Sequence, residues 1–324
     1  MNIVLLDPAL YSSSRPSPNL GDQVISRAVY RELRLIFGES CTISSIPTHT
    51  PPGLSSLKLL KSADLVFVGG SNLLWFRLFP PASWRIGLSG VLLFRDLILF
   101  GVGWGGYQIK PSVYGRFICR HLLSSSYKHS VRDNFTQQIA TDALYVPNVL
   151  NTCCPTLWHS LKQHHTNART YRSEYCLFTL TDYERNHAID HRFLHLISKR
   201  YGTSNLIFWP QGAGDLNYCR ELGYTGFSLS RSLDSLISFL STHSNTDYIG
   251  TRLHCGILCL EYYIRTLILS VDNRAAEIAK DTGLTVLPRS EYQAINHWIE
   301  SGSNSQVQLP YTDIHAWKSQ FSLK

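Results

Sequence analysis

The sequence predicts an α/β protein made of two doubly wound domains that face each other across a cleft. Three observations support this fold class. Short apolar runs alternate with longer segments of helical periodicity. A polar stretch interrupts the alternation once, near the middle of the chain, and the 324 residues suffice for two domains of roughly 150 residues each. Alternation of this kind produces a mainly parallel sheet with helices on both faces.

Residues 1–150 form the first predicted domain. Its expected strands and helices follow one another in the order strand, helix, then three further strands and a second helix. The strands are NIVLL (2–6), DLVFVGG (64–70), LILFGVGWGG (97–106) and YKHSVRD (127–133), and the helices are GDQVISRAVYRELRLIFG (21–38) and the one that begins at NFTQQIA (134–140).

The polar interruption, residues 151–173, is a predicted linker with one short helix around PTLWHSL (155–161). The alternation then resumes in a second domain, residues 174–324. Its expected strands are YCLFTL (175–180), NLIFWP (205–210), DYIG (247–250) and TLILSV (266–271). Its expected helices are AIDHRFLHLISKRYG (188–202), SLDSLISFLSTH (232–243), one starting at RLH (252–254), and AAEIAKDTG (275–283).

The composition favours a globular protein with an anionic partner. Hydrophobic residues make up 44% of the chain and charged residues 16%, while the formal charge is +7 and the pI about 9.0. Such a charge suits a phosphorylated metabolite, a nucleotide, nucleic acid or acidic lipid headgroups. Because the basic residues are spread along the chain and form no stripe, no nucleic-acid partner is expected. Eight cysteines without a C-x-x-C pair indicate free thiols in a reducing compartment.

Targeting and membrane signals are weak. The first residues lack a basic region and include Asp7, which is atypical of a signal peptide. The most apolar segment, 87–106, is broken by Arg95 and Asp96 and falls short of the roughly 18 apolar residues that a membrane span needs. We therefore expect a cytoplasmic protein.

Peripheral contact with the inner face of the membrane is an open alternative. Arg27, Arg31 and Arg34 follow one side of the first helix, and segment 75–87 (WFRLFPPASWRIG) is rich in aromatic residues. Together these could rest on an anionic bilayer. Core aromatic residues beside a solvated charged face explain the same pattern, and we slightly prefer that explanation.

Polar and glycine-rich loops follow several predicted strands, where ligands of open α/β sheets collect. Alternatives exist for each loop: Asn19 or Asp22 can cap the first helix, the glycines can form tight turns, Asp133 can cap the helix after it, and His254 can be a structural hydrogen-bond donor. The chain has no G-x-G-x-x-G motif and no Walker lysine. The candidate residues are Asn19, Gly21, Asp22, Gly69, Gly70, Ser71, Asn72, Arg132, Gln211, Asp215, Arg252 and His254, with FGVGWGGY (100–107) as a further loop.

The order of these motifs resembles the polysaccharide pyruvyl transferase family. The resemblance covers roughly residues 19–284, through NLGDQVI, ADLVFVGGSNLL, GVGWG, SVRDN, GTRLHCGI and LSVDNRAAEIAKDTGL. It implies two Rossmann-like domains in a glycosyltransferase B-type arrangement, with the acceptor on the first domain and the donor on the second. It also implies transfer of pyruvate from phosphoenolpyruvate to a sugar of a cell-surface polysaccharide or its lipid-linked precursor, as a cyclic ketal with release of phosphate.

The resemblance implies roles for particular residues. Arg132 and Arg252 would bind the anionic groups of phosphoenolpyruvate, which a guanidinium fork suits. His254 would be the general acid that protonates the methylene carbon, and Asp22 the base. The remaining substrate contacts would come from the loops named above and from Arg274, which stands near a position where the family has lysine. No metal and no cofactor are expected.

Two other functions remain open. One is a glycosyltransferase that has the same fold and uses a nucleotide sugar. Glu261 in CLEYY could be misread as the acidic residue that contacts the ribose in such enzymes. The other is a glycan-binding relative without catalysis. A third pattern, His187, His191 and His195 at intervals of four, could in principle bind metal. No carboxylate general base and no further ligand is evident beside these histidines, so we favour a solvated helix face.

Overall fold

The computed structural model describes residues 1–12, 15–50, 53–74, 84, 90–91, 93–107, 110–160, 172–302 and 306–322. These fold into two compact units. The first consists of Met1–Ser17, Ile25–Trp158 and Leu309–Lys324, and the second of Pro18–Val24 and His159–Gln308.

The first unit contains a parallel sheet in the order β4-β1-β5-β6 and a parallel pair β7-β8. A parallel bridge from Val102 to Val131 joins β7 to the edge of the sheet just beyond β6. The short strands β2 and β3 pair antiparallel. The strands are β1 (Asn2–Asp7), β2 (Leu10–Ser12), β3 (Arg15–Pro16), β4 (Thr42–Pro47), β5 (Leu65–Gly69), β6 (Ile98–Phe100), β7 (His129–Val131) and β8 (Val149–Asn151).

Helices of the first unit separate these strands. Helix α1 also includes residues of the segment Pro18–Val24, which groups with the second unit. The helices are α1 (Leu20–Phe37), α2 (Leu54–Lys61), α3 (Val113–Leu122), α4 (Asn134–Gln138), which continues as a π-helical turn Ile139–Ala143, α5 (Leu157–Ser160) and, at the end of the chain, α12 (Tyr311–Ser319).

The second unit contains a five-stranded parallel sheet in the order β10-β9-β11-β12-β13. Its strands are β9 (Tyr175–Thr179), β10 (Leu206–Phe208), β11 (Thr246–Gly250), β12 (Arg265–Ser270) and β13 (Val286–Pro288). Its helices are α6 (His187–Tyr201), α7 (Asp215–Glu221), α8 (Leu233–Thr242), α9 (Leu253–Glu261), α10 (Asn273–Thr282) and α11 (Tyr292–Ser301), and a 3-10 turn Thr203–Asn205 precedes β10.

Both units use the same strand order. If the parallel strands of each unit are counted along the chain, each sheet begins with the order 2-1-3-4. The direction of winding reverses between strands 1 and 3, which are β1 and β5 in the first unit and β9 and β11 in the second. In doubly wound sheets the carboxyl ends of the strands at this reversal are where ligands bind. The predicted α/β class with parallel sheets is confirmed.

The sequence explains the burial of these strands. The second unit's central strand β11 (TDYIG) is buried along its whole length, as is β6 (ILF), because helices cover both faces of a parallel sheet. Asp247, within β11, is paired there with Arg265 of β12 at 2.6 Å, so the buried carboxylate is neutralised.

The compact units divide the chain differently from the predicted domains, and residues 151–158 of the predicted linker group with the first unit. Residues 309–324 group with the first unit, and residues 18–24 with the second. The end of the chain returns because Trp317 of α12 packs on aromatic rings of the first unit: its ring centroid lies 4.4 Å from that of Phe100 and 5.9 Å from that of Trp158. Of the predicted linker, the short helix is present as α5. Residues 161–171 lie outside the described residues.

No helix among the described residues is long and apolar enough to span a bilayer. The aromatic segment 75–87 lies outside the described residues except for Trp84, which is buried. Arg27 is exposed, whereas Arg34 donates to the backbone oxygens of Glu39 and Cys41 at 2.8 and 2.7 Å.

Candidate functional site

The first turn of α1 is closed by Asn19. Its Oδ1 accepts the amide N–H of Gly21 at 3.1 Å, its backbone oxygen accepts that of Asp22 at 3.1 Å, and its Nδ2 donates to Asp22 Oδ1 at 3.3 Å. The amide of Leu20 donates to the backbone oxygen of Gln211 at 3.2 Å. Since these three amides already have acceptors, Asn19 is a helix cap, which is the alternative that the sequence favoured.

Gln211 ties this turn to the loop after β10. Its Nε2 donates to Asn19 Oδ1 at 3.1 Å, and a Cβ on Gly21 would lie 2.7 Å from the same nitrogen. The residue is 3% exposed, and its Oε1 is buried without a hydrogen-bond partner among the described residues. A buried acceptor without a donor is costly, so this oxygen suits a ligand hydroxyl.

The turn after β5 contains two glycines that lie in close contact with neighbouring side chains. Gly70 has φ +69°, and a Cβ there would lie 2.4 Å from Ile25 Cγ2. Its amide donates to Phe100 O at 2.8 Å, and Ser71 O accepts the amide of Gly103 at 2.8 Å. A Cβ on Gly69 would lie 2.9 Å from Leu5 Cδ1. Close packing and a left-handed turn therefore account for both glycines.

Arg132 follows β7 and is 3% exposed. Its Nε donates to Asp133 Oδ2 at 3.1 Å, and Asp133 Oδ1 accepts the amide of Thr136 at 2.7 Å, so Asp133 caps α4 as predicted. The guanidinium lies against the backbone of Gly103, where a Cβ would meet its Cζ at 2.3 Å. Gly103 forms a parallel bridge with Asn72.

Two buried polar atoms in the loops that follow β5 and β7 are unsatisfied. They are Arg132 Nη2 and Asn72 Oδ1, which have no hydrogen-bond partner among the described residues. An unsatisfied buried donor on a charged group costs more than one on a neutral group. An anionic oxygen would satisfy Arg132, and a hydroxyl would satisfy Asn72.

Arg252 lies between β11 and α9 and is 6% exposed. Its Nε donates to Asp215 Oδ2 at 2.9 Å, its Nη2 donates to Asp215 Oδ1, and Nη2 also donates to Asp182 Oδ1 at 3.3 Å. These bonds use three of the five guanidinium donors and leave the two on Nη1. Asp215 therefore occupies the Nε edge of Arg252, and the predicted contact of Arg252 with the donor stays a prediction.

Asp215, at the start of α7, is fully buried and accepts two further hydrogen bonds. The amide of Gly212 donates to its Oδ2 at 2.7 Å and that of Asp182 to its Oδ1 at 3.1 Å. Burial raises the pKa of the Asp215 carboxyl, and the positive charge of Arg252 opposes this shift.

Tyr183 connects Arg252 with Arg274. The two guanidinium carbons lie 5.1 and 5.5 Å from the centre of its ring, within range of cation–π attraction. Its hydroxyl donates to Asp272 Oδ2 at 3.1 Å and accepts from Arg274 Nη2. Burial raises the pKa of this hydroxyl, partly offset by Arg274, so the phenol stays protonated.

Asp22 contributes to the same electrostatic environment. Burial lowers the pKa of Arg274, but its interactions with Tyr183, Asp272 and Asp22 raise it overall. Asp272 Oδ2 accepts from both Arg274 Nε, at 2.8 Å, and Arg274 Nη2, at 2.5 Å. In the second unit Tyr183 thus contacts both Arg274 and Arg252, and the charge of Asp22 acts on Arg274.

His254 lies in the first turn of α9, two residues after Arg252, and is 6% exposed. Strand β11 ends at Gly250, so Arg252 and His254 lie beyond the strand. The alternation of side chains along a strand therefore does not determine the directions in which these two point. Arg252 is the residue that precedes the helix, with φ −100° and ψ 100°.

A family model identifies the chain. The model of the polysaccharide pyruvyl transferases matches residues 19–273, a range that includes Asn19, Arg132, Arg252 and His254. This chain belongs to the polysaccharide pyruvyl transferase family. The family predicted from the motif order is confirmed, and with it the assignment as an enzyme that transfers pyruvate in polysaccharide chemistry.

Solved structures show the fold of this pyruvyl transferase. UDP-GlcNAc 2-epimerase of Methanocaldococcus jannaschii, in complex with UDP-GlcNAc and UDP, is 12% identical with a TM-score of 0.55, covering 99% of this chain and 98% of its own. MnaA of S. aureus with UDP is 10% identical, with a TM-score of 0.51 and coverages of 94% and 91%. UDP-GlcNAc 2-epimerase of Neisseria meningitidis bound to UDP-GlcNAc is 11% identical, with a TM-score of 0.51 and coverages of 99% and 99%.

These similarities confirm the predicted fold, two Rossmann-like domains of the glycosyltransferase B type. No curated protein sequence matches the chain.

The pyruvyl transferase also contains residues beside the candidate site that the sequence did not reveal. Asp182, Tyr183 and Asp272 contact the predicted arginines, and each lies just beyond the carboxyl end of a strand. That position was the signal that could have identified them. Glu261, by contrast, lies at the far end of α9, with its Oε1 3.9 Å from His159 Nε2.

The three histidines of α6 are exposed along the helix. Among the described residues no group of three or more histidine, cysteine or acidic side chains is arranged to hold a metal ion.

Proposed function

We propose that this pyruvyl transferase uses phosphoenolpyruvate as its donor and attaches the pyruvate to a sugar as a cyclic ketal, releasing phosphate. The acceptor is a sugar of a cell-surface polysaccharide or of its lipid-linked precursor. The family match over residues 19–273 supports the transfer of pyruvate. The buried, unpartnered Arg132 Nη2 is the observation that supports an anionic donor.

The reaction begins with protonation of the donor. A proton moves to the methylene carbon of phosphoenolpyruvate, which becomes a methyl group, and positive charge develops at the neighbouring carbon. We assign this general-acid role to His254, since histidine exchanges protons near neutral pH. A sugar hydroxyl attacks that carbon, and its proton passes to a base, for which Asp22 is the candidate.

A second hydroxyl of the same sugar then closes the ketal. The bond to the phosphate oxygen breaks, and the proton of the second hydroxyl leaves with the phosphate. Asp22 passes the proton of the first hydroxyl back to His254 through solvent, which restores both side chains. Overall the sugar loses two hydroxyl protons, while one proton ends in the new methyl group and one on phosphate. The proposal requires no metal and no cofactor.

The cationic contacts are assigned to arginines at strand ends. Arg132 would bind an anionic oxygen through Nη2, and Arg252 would do so through Nη1, the part of its guanidinium outside the Asp215 pair. Arg274 is fixed by Asp272 and supports the positive potential. Gln211 Oε1 and Asn72 Oδ1 would accept hydroxyl groups.

Donor binding tests the proposal without knowledge of the acceptor. Phosphoenolpyruvate titrated into the protein in a calorimeter should bind saturably, and Arg132→Gln should weaken the affinity at least tenfold, since a charged hydrogen bond contributes about 1.5–3 kcal/mol. UDP-GlcNAc should give no binding heat. Binding of UDP-GlcNAc without phosphoenolpyruvate would establish the nucleotide-sugar alternative, and binding of neither would favour a non-catalytic relative.

Turnover tests the assignment of His254. Phosphate release from phosphoenolpyruvate is measured with polysaccharide repeat units as acceptors. His254→Ala should lower kcat and leave phosphoenolpyruvate affinity nearly unchanged, because the general acid acts in the transition state. Full activity of His254→Ala would refute this role.

A further inference from the structure

A groove lies on the first unit, beside α3. Its volume is about 690 Å³, and its walls come from one side of α3 and from segment 144–147. The apolar lining residues include Val113, Phe117, Leu123, Leu144, Tyr145 and Val146. None of these residues belongs to the candidate site.

Three of the apolar lining residues are strongly exposed. Val113 is 78% exposed, Phe117 44% and Tyr145 67%. The opposite side of α3 is buried in the core of the unit through residues such as Ile118 and Leu122. The exposed side of α3 thus carries apolar side chains among basic ones, and an exposed apolar patch of this kind marks an interaction surface.

Positive charge surrounds the groove. Arg116, Arg120 and His121 line it, and none of the described lining residues is acidic. Arg116 Nε donates to the backbone oxygen of Ala143 at 2.6 Å, and its guanidinium carbon lies 5.0 Å from the centre of the Tyr145 ring. Arg120 is exposed. The positive charge therefore adjoins the exposed apolar side chains.

Basic residues outnumber acidic ones in the segments that adjoin the groove. Exposed Asp96 is next to Leu97, which pairs with the lining residue Leu123, but exposed Arg95 precedes it. The sequence from 110 to 147 contains two further acidic residues, Asp133 and Asp142. Asp133 is buried and bonded to Arg132 and to the amide of Thr136. Asp142 is exposed in the turn that follows α4.

We propose that this groove docks the protein on the surface of a bilayer that contains anionic phospholipids. Phe117, Tyr145 and Val113 would enter the interfacial layer, while Arg116 and Arg120 pair with lipid phosphates. This combination of exposed apolar and basic side chains on one helix is what binds anionic bilayers. Val113, the most exposed of the apolar lining residues, is aliphatic and unsuited to stacking on bases, so nucleic acid is the less fitting partner. The proposal does not depend on the donor or the acceptor of the enzyme.

Sedimentation with vesicles tests the proposal on the full chain. The probes are vesicles of phosphatidylglycerol and phosphatidylcholine in equal parts, and vesicles of phosphatidylcholine alone. The test variant is Phe117→Ser with Arg120→Ser. Its matched control is Leu35→Ser with Arg27→Ser, which removes one exposed apolar residue and one exposed arginine from α1 and leaves the same net charge.

We expect binding to the anionic vesicles, weakened by salt. The test variant should bind about tenfold more weakly or worse, because one arginine near the surface alone is worth about fivefold and the phenyl group adds to this. The control should change less than about twofold.

Equal binding by the two variants, or no binding of the unmodified protein, would overturn the proposal. So would a loss of binding to single-stranded RNA in the test variant while its vesicle binding persists. All four substituted side chains are exposed, and thermal unfolding of each variant confirms that the fold is retained.

Discussion

Asp215 and Arg252 form a buried pair joined by two hydrogen bonds, one of them 2.9 Å long between Arg252 Nε and Asp215 Oδ2. The same carboxylate accepts the backbone amides of Gly212 and Asp182. One side chain thus holds together the loops that follow β9, β10 and β11. The position of Arg252 is fixed before any ligand binds, which is the preorganisation that anion binding requires.

Loss of the Asp215 charge should destabilise the protein. Asp215→Asn leaves the Arg252 guanidinium buried without its counter-charge, and breaking a buried pair in this way costs about 3–5 kcal/mol. Urea unfolding should show a decrease of this size. Asp182→Asn is the control: its carboxylate is 29% exposed, so the loss should be about 1 kcal/mol or less. Equal losses in the two variants would contradict the central role of Asp215.

The space beside Gly103 is filled by Arg132. In Gly103→Ala the new methyl group would lie 2.3 Å from Arg132 Cζ and 2.4 Å from its Nε, so the guanidinium must move. If Arg132 contacts the donor, the affinity for phosphoenolpyruvate should fall by about tenfold or more, since even a small displacement of a binding group weakens its contact with the ligand. Calorimetric titration measures this change.

Gly53→Ala is the matched control for that substitution. A Cβ on Gly53 meets no atom within 4 Å, and the residue has φ −86° and ψ 179°, which alanine adopts freely. Its affinity for phosphoenolpyruvate should equal that of the unmodified protein. Unchanged affinity in Gly103→Ala would show that Arg132 has no part in donor binding.

Local patterns in the sequence were sufficient for much of the fold. The apolar run DLVFVGG predicted β5, and an aspartate before a helical segment predicted the cap at Asp133. These features depend on residues that are neighbours in the chain, where periodicity and capping chemistry act.

Contacts between distant residues could not be predicted in this way. Asp215 precedes Arg252 by 37 residues, and Trp317 of α12 packs on Phe100 of β6, far earlier in the chain. No short-range pattern encodes either pairing. Helix α3 was also not predicted, although its residues divide into a buried side with Ile118 and Leu122 and an exposed side with Arg120.

The thiols of the native protein should be unreactive. All eight cysteines are free and buried, and burial raises the pKa of several of their thiols, among them Cys119, Cys154 and Cys219. Because the thiolate is the reactive form, Ellman's reagent at pH 8 should label almost none of them until denaturant is added, when all eight should react. Rapid labelling of the native protein would show that the core opens readily.

His129 should make the first unit sensitive to acid. Its Nδ1 accepts the amide of Leu99 at 3.2 Å, so the proton is on Nε2, which lies 2.8 Å from the backbone oxygen of Ser124. Burial lowers the pKa of His129 from 6.5 to about 4. The neutral ring is the form that fits, because a second proton would turn Nδ1 into a donor facing the Leu99 amide.

The direction of the pH effect follows from this shift. A histidine whose pKa is lowered by folding contributes its full stability above its unfolded pKa of 6.5 and loses it as the pH falls towards 4. The difference of about 2.5 units corresponds to roughly 3 kcal/mol. His129→Gln should therefore be less stable than the unmodified protein at pH 7.5, and the gap in unfolding free energy should narrow by about 2 kcal/mol at pH 4.5. His191→Gln, at an exposed position, should leave the pH profile unchanged. A gap that stays constant from pH 7.5 to 4.5 would mean that His129 is protonated as easily in the folded protein as in the unfolded chain.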